Sequence, residues 1–260
     1  MALRNLARNR RRTAISLLVV ATGTVAMLLT SGFIVFSFRG LETALIHGGL
    51  GHLEVAAADA AGGGHLDRPV SGALADWQAL RRRLTSLPEV AAAGANVHLM
   101  GMASTASGKS ASFVGVGVEP DRERAMGFTT KLRAGRGLPA AAPPAGEDVV
   151  LLARGLAATL GVRPGDVVTL LALTPDGTLN ALDVAVAGVF TTGVQDLDTR
   201  FAKVHLATAQ RLLQTAAVSD LLVILRDGVP LLAGRRAVTR AVAGHRPPFA
   251  VVDWQARAPF

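Results

Sequence analysis

Residues 13–38 read TAISLLVVATGTVAMLLTSGFIVFSF, a run of 26 residues without Asp, Glu, Lys or Arg. As an α-helix with a rise of about 1.5 Å per residue, this run would be roughly 39 Å long. The hydrocarbon core of a bilayer is about 30 Å thick, so the run is long enough to cross it with some tilt. The sequence therefore predicts a transmembrane helix over residues 13–38.

The segment before this run, residues 1–12, is basic and contains no acidic residue. Its arginines are Arg4, Arg8, Arg10, Arg11 and Arg12. The positive-inside rule predicts that they anchor the N-terminus in the cytoplasm and orient the helix, so that everything after Arg39 lies outside. The segment itself would lie along the headgroups as an interfacial helix or act as a flexible basic anchor. A cleaved signal peptide is the rival interpretation, but its apolar region is typically about 7–15 residues long, which favours an uncleaved helix here.

Small residues recur every seven positions along the predicted helix, at Ser16, Gly23, Thr30 and Ser37. Small side chains let transmembrane helices approach closely. The pattern predicts that this face packs against partner helices. The alternative is that small residues are simply common in an Ala-rich chain.

The net charge of +8 raises the question of an anionic partner. Five of these charges lie in residues 1–12, and the other 248 residues contain 22 basic and 19 acidic side chains. A nucleic-acid-binding domain usually has a basic face and stacking aromatics, whereas aromatic residues are only 4% of this chain. We therefore expect no nucleic-acid partner. The absence of cysteine excludes disulfides, thiol catalysis and Cys-ligated zinc.

After the membrane segment, residues 48–260 are predicted to form an α+β domain. The residues Gly48, Gly49 and Gly51 break the helix, residues 60–69 form a Gly-rich loop, and residues 139–146 form an Ala- and Pro-rich linker. Period-two alternation and turn signals predict strands over 52–55, 90–104, 112–118, 148–152, 166–173, 178–189, 201–206, 221–225 and 249–252. Helical spacing predicts helices over 74–87, 153–160, 207–214 and 230–243. Residues 174–177, TPDG, predict the turn of a hairpin between the strands 166–173 and 178–189, and Gly161 is expected to close the helix 153–160.

Residues 103–110, ASTASGKS, match a loose phosphate-loop pattern. A working phosphate loop needs a preceding strand and a following helix, whose N-terminus binds the phosphates. Here the residues that follow are strand-like, and Ala103 stands where the first glycine is expected. We therefore predict a hairpin turn and no nucleotide site.

The remaining candidates for chemistry are scattered histidines and carboxylates. The histidines form no HExxH motif or i, i+4 pair; His52 and His65 could meet a metal together with Asp59 and Asp67, but the loop between them is Gly-rich. Asp196 and Asp198 could serve acid–base chemistry, although a solvated loop beside Arg200 is the favoured interpretation. We predict no catalytic, metal or cofactor site.

Several ordered motifs resemble those of one known family. The opening residues 1–13, MALRNLARNRRRT, followed by a long apolar helix, resemble the start of MacB-type and lipoprotein-releasing (LolC/LolE-like) ABC transporter permeases. Residues 51–55, GHLEV, resemble the opening of their periplasmic domain, and residues 149–166, VVLLARGLAATLGVRPGD, resemble its middle. The match continues in residues 176–178, DGT, and 186–190, VAGVF.

The resemblance implies a two-part α+β periplasmic core domain over residues 48–260, with one part inserted in the other over about residues 140–215. It implies a bacterial inner-membrane permease that dimerises with a second permease subunit and binds a cytoplasmic ATPase subunit. ATP would be bound and hydrolysed on that separate chain, so the permease itself would be non-catalytic and without a cofactor. The periplasmic domain would extrude or release a lipoprotein, drug or peptide, with a lipoprotein or a periplasmic adaptor as a further partner.

Family members have four transmembrane helices, whereas this sequence ends about where the second would begin. The resemblance therefore implies a fragment that lacks the later helices. A rival hypothesis from a different class is a single-pass, membrane-anchored binding or adaptor protein, which fits a chain with one crossing. An extracytoplasmic hydrolase is a third hypothesis and rests only on scattered polar residues.

Overall fold

The computed structural model describes residues 10–58, 74–244 and 248–257. It divides into two compact units, one ending at Leu45 and one beginning at Ile46. The first contains helix α1 (Arg10–Leu45), which has 36 residues. Within α1, Ala14–Phe38 has a mean hydropathy of 2.1, and among the described residues it is the one segment long and apolar enough to cross a membrane.

Helix α1 continues beyond the predicted exit at Arg39 and ends at Leu45. A π-helical turn, Ile46–Leu50, follows it. Gly49 in this turn has φ 121°, a backbone conformation that glycine adopts without strain. The glycine-rich segment therefore ends the helix as predicted.

The second unit contains ten strands and seven short helices among its described residues. The strands are β1 (Leu53–Ala57), β2 (Val90–Ser104), β3 (Ser110–Val118), β4 (Lys131–Gly135), β5 (Val149–Ala153), β6 (Val167–Leu173), β7 (Leu179–Thr191), β8 (Phe201–His205), β9 (Asp220–Leu225) and β10 (Phe249–Asp253). The helices are α2 (Trp77–Thr85), α3 (Pro120–Ala125), α4 (Arg154–Leu160), α5 (Gln195–Asp198), α6 (Leu206–Leu213), α7 (Leu231–Val242) and α8 (Trp254–Arg257).

The predicted α+β class is confirmed, and most predicted elements are found within a few residues of their expected bounds. The helix predicted over 74–87 begins later, at Trp77, because Leu74 instead forms a β-bridge with Val218. Four elements were not predicted, the short helices α3, α5 and α8 and the edge strand β4. The predicted Gly-rich loop over residues 60–69 lies outside the described residues.

The first part of the sheet has the strand order β10-β1-β9-β2, and each neighbouring pair is antiparallel. Helix α2 lies between β1 and β2 in the chain, and α7 lies between β9 and β10. This β-α-β-β-α-β arrangement is that of ferredoxin-like folds. Both helices bury their apolar sides in the same core cluster, which includes Trp77, Leu84 and Val238.

Strand β2 is long because it belongs to two sheet regions. Its first half, up to Asn96, pairs with β9, and its second half, from Val97, pairs with β3 and β6. The pairs β2-β3, β3-β8, β8-β5, β5-β7, β7-β6 and β6-β2 form a closed ring of six strands. A ring of this kind has no free edges among its six members.

The interior of the ring is filled by apolar side chains. Phe113, Leu152 and Leu170 are each no more than 2% exposed. Gly101 lies where β2 passes β6, and a Cβ there would be 1.9 Å from the carbonyl oxygen of Leu171. Only glycine permits this approach of the two backbones.

Helix α6 covers the core with Leu206, Ala209, Leu212 and Leu213, all of which are buried. The Asn180 side chain donates to the carbonyls of Arg211 and Leu212, which end this helix. The predicted insertion over about residues 140–215 stays a prediction: strands in that range pair with β2 and β3, which precede it in the chain.

Candidate functional site

The predicted packing face of the transmembrane helix lies on α1. Ser16, Gly23, Thr30 and Ser37 are all exposed there. Seven residues rotate an α-helix by almost two full turns, so these four positions stay on one side with a slow drift. The Thr30 hydroxyl donates to the Ala26 carbonyl at 2.9 Å, so its polar group is satisfied within the helix. Their packing against partner helices stays a prediction.

Of the five arginines predicted to set the orientation, Arg4 and Arg8 lie outside the described residues. Arg10, Arg11 and Arg12 form the beginning of α1, directly before the apolar span. Arg11 and Arg12 are exposed. Their role in orienting the helix stays a prediction.

The segment that resembles a phosphate loop is a hairpin turn between β2 and β3, as predicted. The Thr105 N–H donates to the Lys109 carbonyl at 2.9 Å, and Gly108 has φ 82°. Strand β3 follows the turn in place of the helix that a phosphate loop requires. The Lys109 ammonium instead lies beside Gly161, the left-handed residue that ends α4, where a cation is favoured by the helix dipole.

The histidine and carboxylate sets do not assemble into a metal site within residues 10–58, 74–244 and 248–257, where no group of three His, Asp or Glu side chains could hold an ion. His65, Asp59 and Asp67 lie outside that part of the chain. His52 Nδ1 accepts from the Leu225 N–H at 3.3 Å, which ties β1 to β9.

The interpretation of Asp198 as a residue of a solvated loop is wrong. Asp198 ends the short helix α5 and is 8% exposed. Its carboxylate accepts from the hydroxyls of Thr191 and Thr192 at 2.6 and 2.8 Å and from the Thr192 N–H at 2.6 Å. Burial opposes its ionisation, but these hydrogen bonds outweigh burial and lower the pKa of Asp198. It is thus a structural carboxylate that ties the end of β7 to α5.

Sequence reasoning missed a buried pair between His98 and Asp220. His98 Nε2 lies 2.5 Å from Asp220 Oδ2, and the two side chains are 2% and 1% exposed. The His98 N–H donates to Ser219 Oγ at 2.9 Å. The pair lies where β2 leaves β9 and begins to pair with β3. The pair therefore joins the two sheet regions. It has no access to a substrate, because neither side chain reaches solvent.

Another buried carboxylate, Asp148, lies directly before β5 and joins this strand to α6. Its Oδ1 accepts from the Thr208 hydroxyl at 2.5 Å and from the Arg211 guanidinium. Arg211 also donates to the Pro143 carbonyl at 3.0 Å, which holds the Ala- and Pro-rich segment against the helix. No spacing rule predicts this cluster, because its members come from two segments about 60 residues apart, the one before β5 and helix α6.

One exposed face of the ring has the composition of a contact surface. Five apolar side chains form it, and we call it the Met–Leu face: Met100, Met102, Leu171, Leu173 and Leu179. Met102 pairs with Leu171, and Leu173 pairs with Leu179. Directly paired residues of an antiparallel sheet point to the same side, and so do residues two apart on one strand.

Much of this face is open to solvent, since Leu173 and Leu179 are 64% and 68% exposed. Contiguous exposed apolar patches on a folded domain mark interaction sites. Methionine adapts its shape to irregular partners. The sequence contains one signal for this face. Strand β6 has apolar residues at every position except Thr169, so the side that does not face the core is also apolar.

Comparisons with known proteins identify the fold. Residues 13–241 match the family described as the MacB-like periplasmic core domain. The periplasmic region of MacB from Actinobacillus actinomycetemcomitans is similar to this chain with a TM-score of 0.54 and 17% identity, over 80% of this chain and 91% of that one.

The extracellular domain of the noncanonic ABC-type transporter YknZ from Gram-positive bacteria is similar with a TM-score of 0.54 and 12% identity, over 77% of this chain and 99% of that one. At these identities the structural similarity shows the fold alone. No curated protein gives a significant match. Because the family match spans most of its length, the chain belongs to the MacB-like periplasmic core domain family, found in ABC-type transporter permeases.

Proposed function

We propose that this chain is the membrane anchor and extracytoplasmic domain of a permease subunit in an ABC transporter. A separate cytoplasmic ATPase subunit binds and hydrolyses ATP, and the permease passes the resulting movement to its outer domain. The domain then extrudes or releases a substrate, with lipoproteins, drugs and peptides as the candidate classes. The observation that carries this proposal is the family match over residues 13–241, which begins in the apolar helix and continues through the domain.

The proposed location is the bacterial inner membrane, with the N-terminus in the cytoplasm and the domain outside. Support comes from the charge asymmetry around α1. Arg10, Arg11 and Arg12 precede the apolar span Ala14–Phe38, and cytoplasmic ends of transmembrane helices carry an excess of such residues.

The proposed partners follow from the exposed helix and the family. A transmembrane helix with a small-residue face is suited to pack against other permease helices, from this subunit or from a second permease subunit in a homo- or heterodimer. The ATPase subunit would bind on the cytoplasmic side. A lipoprotein or a periplasmic adaptor would meet the domain outside.

We assign the Met–Leu face as the contact surface for such an outer partner or substrate. Its exposed leucines, Leu173 and Leu179, stand on either side of the tight turn at Asp176 and Gly177. Apolar side chains at the end of a hairpin are removed from water only when something binds them. The buried ionisable groups of the domain described above tie structural elements together, which supports a non-catalytic role.

A single-pass binding or adaptor protein is the rival function. The exposed Met–Leu face serves either function equally, so it does not separate them. Association with an ATPase does: a permease subunit copurifies with one, and a monomeric anchored adaptor does not.

The orientation can be tested with the cysteine-free chain. Asp176 lies in the exposed hairpin turn, so Asp176→Cys should react with a membrane-impermeant maleimide in intact cells whose outer layer has been permeabilised. Leu170→Cys is the matched control, because Leu170 is 0% exposed and should react only after unfolding. If Asp176→Cys reacts only after lysis, the domain is cytoplasmic and the proposed function fails.

Coupling to ATP can be tested at the Met–Leu face. A photo-crosslinking amino acid at Leu179, in the complete permease, should give adducts whose yield changes when the ATPase is inactivated. Val194 is the control position, because it is 53% exposed and follows the end of β7 at Thr191, whereas Leu179 begins that strand. Equal adduct yields with active and inactive ATPase at Leu179 would contradict the coupling.

A further inference from the structure

Helices α2 and α7 form one layer of the ferredoxin-like part of the domain. They bury Trp77, Leu80 and Leu84 from α2, and Ala237 and Val238 from α7, in the core. The opposite side of each helix faces solvent. The chemical character of this solvent side therefore depends on the residues that are not needed for packing.

Those residues are strongly basic. The two helices contain six arginines and no acidic residue. Two of the arginines are paired, Arg81 with Glu119 at 2.6 Å and Arg235 with Asp253 at 3.0 Å. The other four are exposed and have no ion-pair partner in the described part of the chain; we call them the arginine layer: Arg82, Arg83, Arg236 and Arg240.

The positive charge of the domain is concentrated in these two helices. Residues 13–260 contain 22 basic and 19 acidic side chains, and without the six arginines of α2 and α7 they contain 16 basic and 19 acidic ones. The remainder of this segment is thus slightly acidic. Four unpaired like charges on adjacent helices repel one another and add nothing to the core, so the layer is suited to an anionic partner.

We propose that the arginine layer docks on anionic phospholipid headgroups of the bilayer in which α1 is anchored, an inference that rests on the proposed membrane function. Guanidinium groups bind phosphate oxygens in a bidentate manner. Leu232 in the first turn of α7 is 68% exposed and supplies an apolar contact for the boundary between headgroups and acyl chains.

Chain connectivity favours a lipid over a soluble acidic protein. Residues 46–52 are all that separate the end of α1 from β1, which belongs to the same sheet that α2 and α7 cover. A short covalent connection gives the tethered group a high effective concentration near its anchor. Each basic residue near an anionic membrane surface strengthens association about fivefold.

The test uses the full chain in nanodiscs. A fluorophore on Leu232→Cys reports contact with headgroups through quenching by a spin-labelled lipid. Quenching should be at least about twofold greater in discs with roughly 30% phosphatidylglycerol than in phosphatidylcholine discs, and about 0.5 M salt should reverse it. The quadruple variant R82Q/R83Q/R236Q/R240Q should lower the equilibrium constant for docking by roughly 600-fold, about fivefold for each arginine.

The matched control is R133Q/R136Q/R163Q/R200Q, which removes the same charge from four exposed arginines elsewhere on the domain. It should leave quenching unchanged. Equal quenching in the two lipids, or equal loss in both quadruple variants, overturns the proposal and leaves the layer for an acidic protein partner. Nanodiscs expose both membrane faces, so this result is independent of the Asp176→Cys test, which reports the proposed function.

Discussion

Strand β6 is predicted to respond very differently to truncation at two leucines, Leu170 and Leu173. Leu170 points into the ring of strands and is 0% exposed, whereas Leu173 lies on the Met–Leu face and is 64% exposed. The two substitutions, Leu170→Ala and Leu173→Ala, remove the same atoms from the same strand. Any difference between them therefore measures the difference in environment.

The expected magnitudes follow from burial. A fully buried Leu→Ala substitution costs about 2–5 kcal/mol, because it removes apolar contacts and leaves a cavity. Complete burial of a leucine contributes about 2 kcal/mol, and Leu173 has roughly one third of its surface buried, so its truncation should cost about 0.7 kcal/mol. The difference between the two variants should be about 1–4 kcal/mol.

The assay is urea unfolding of the full chain in detergent or nanodiscs, followed by the fluorescence of the buried Trp77. A domain of this size loses about 2–4 °C in Tm per kcal/mol, so a thermal scan should show a drop of roughly 4–20 °C for Leu170→Ala and at most about 3 °C for Leu173→Ala. Equal losses for the two variants would refute the assignment of β6 to a closed ring with one open apolar face.

Three further perturbations test other parts of the domain. Asp148→Ala should destabilise the domain by about 3 kcal/mol. This is the low end of the range for a broken buried ion pair, because Arg211 is partly exposed and can rehydrate. The double variant Asp148→Ala/Arg211→Met should recover part of the loss in the urea midpoint. Burial lowers the pKa of His205 below 6.5, so on acidification the unfolded chain binds a proton at a higher pH than the folded domain does. The domain should therefore lose stability as the pH falls from about 6.5 towards the lower pKa of the folded state. His205→Asn, which keeps an acceptor at the start of α6, should flatten this decline in urea midpoints measured between about pH 7.5 and 5, and an unchanged slope would count against it. Gly101→Ala should cost more than about 2 kcal/mol, because its Cβ would meet the β6 backbone, whereas Gly137→Ala, with open space around its Cβ, should be nearly neutral in the same unfolding assay.

Local signals predicted the elements well where the residues of a segment determine its backbone conformation by themselves. The hairpin turn of residues 174–177, Thr-Pro-Asp-Gly, was predicted because Gly177 supplies the positive φ that the turn needs. The end of α4 at Gly161 was predicted for the same reason. Strand β4 was missed because all five of its residues are exposed and its apolar pattern is weak. It exists because it pairs with β7, and no property of its own segment reports that partner.

The candidate sites show the same division. The arginines before the apolar run could be read directly from the chain, as could the small residues on α1. The Met–Leu face could not, because alternation shows that a strand has two sides without showing which side is covered. Asp198 was misassigned for a related reason: its partners Thr191 and Thr192 approach it only when the end of β7 folds against α5.

The sequence by itself determined the membrane-spanning helix, the α+β class, most turns and the family. These properties depend on periodicity, charge and turn chemistry, which are local along the chain. Only the tertiary structure decided that six strands close into a ring, that His98 meets Asp220 where β2 changes partners, and that α2 and α7, with their six arginines, pack on the same core. Each of these depends on contacts between residues far apart in the chain, and such contacts are selected by the packing of the whole domain rather than by any segment alone.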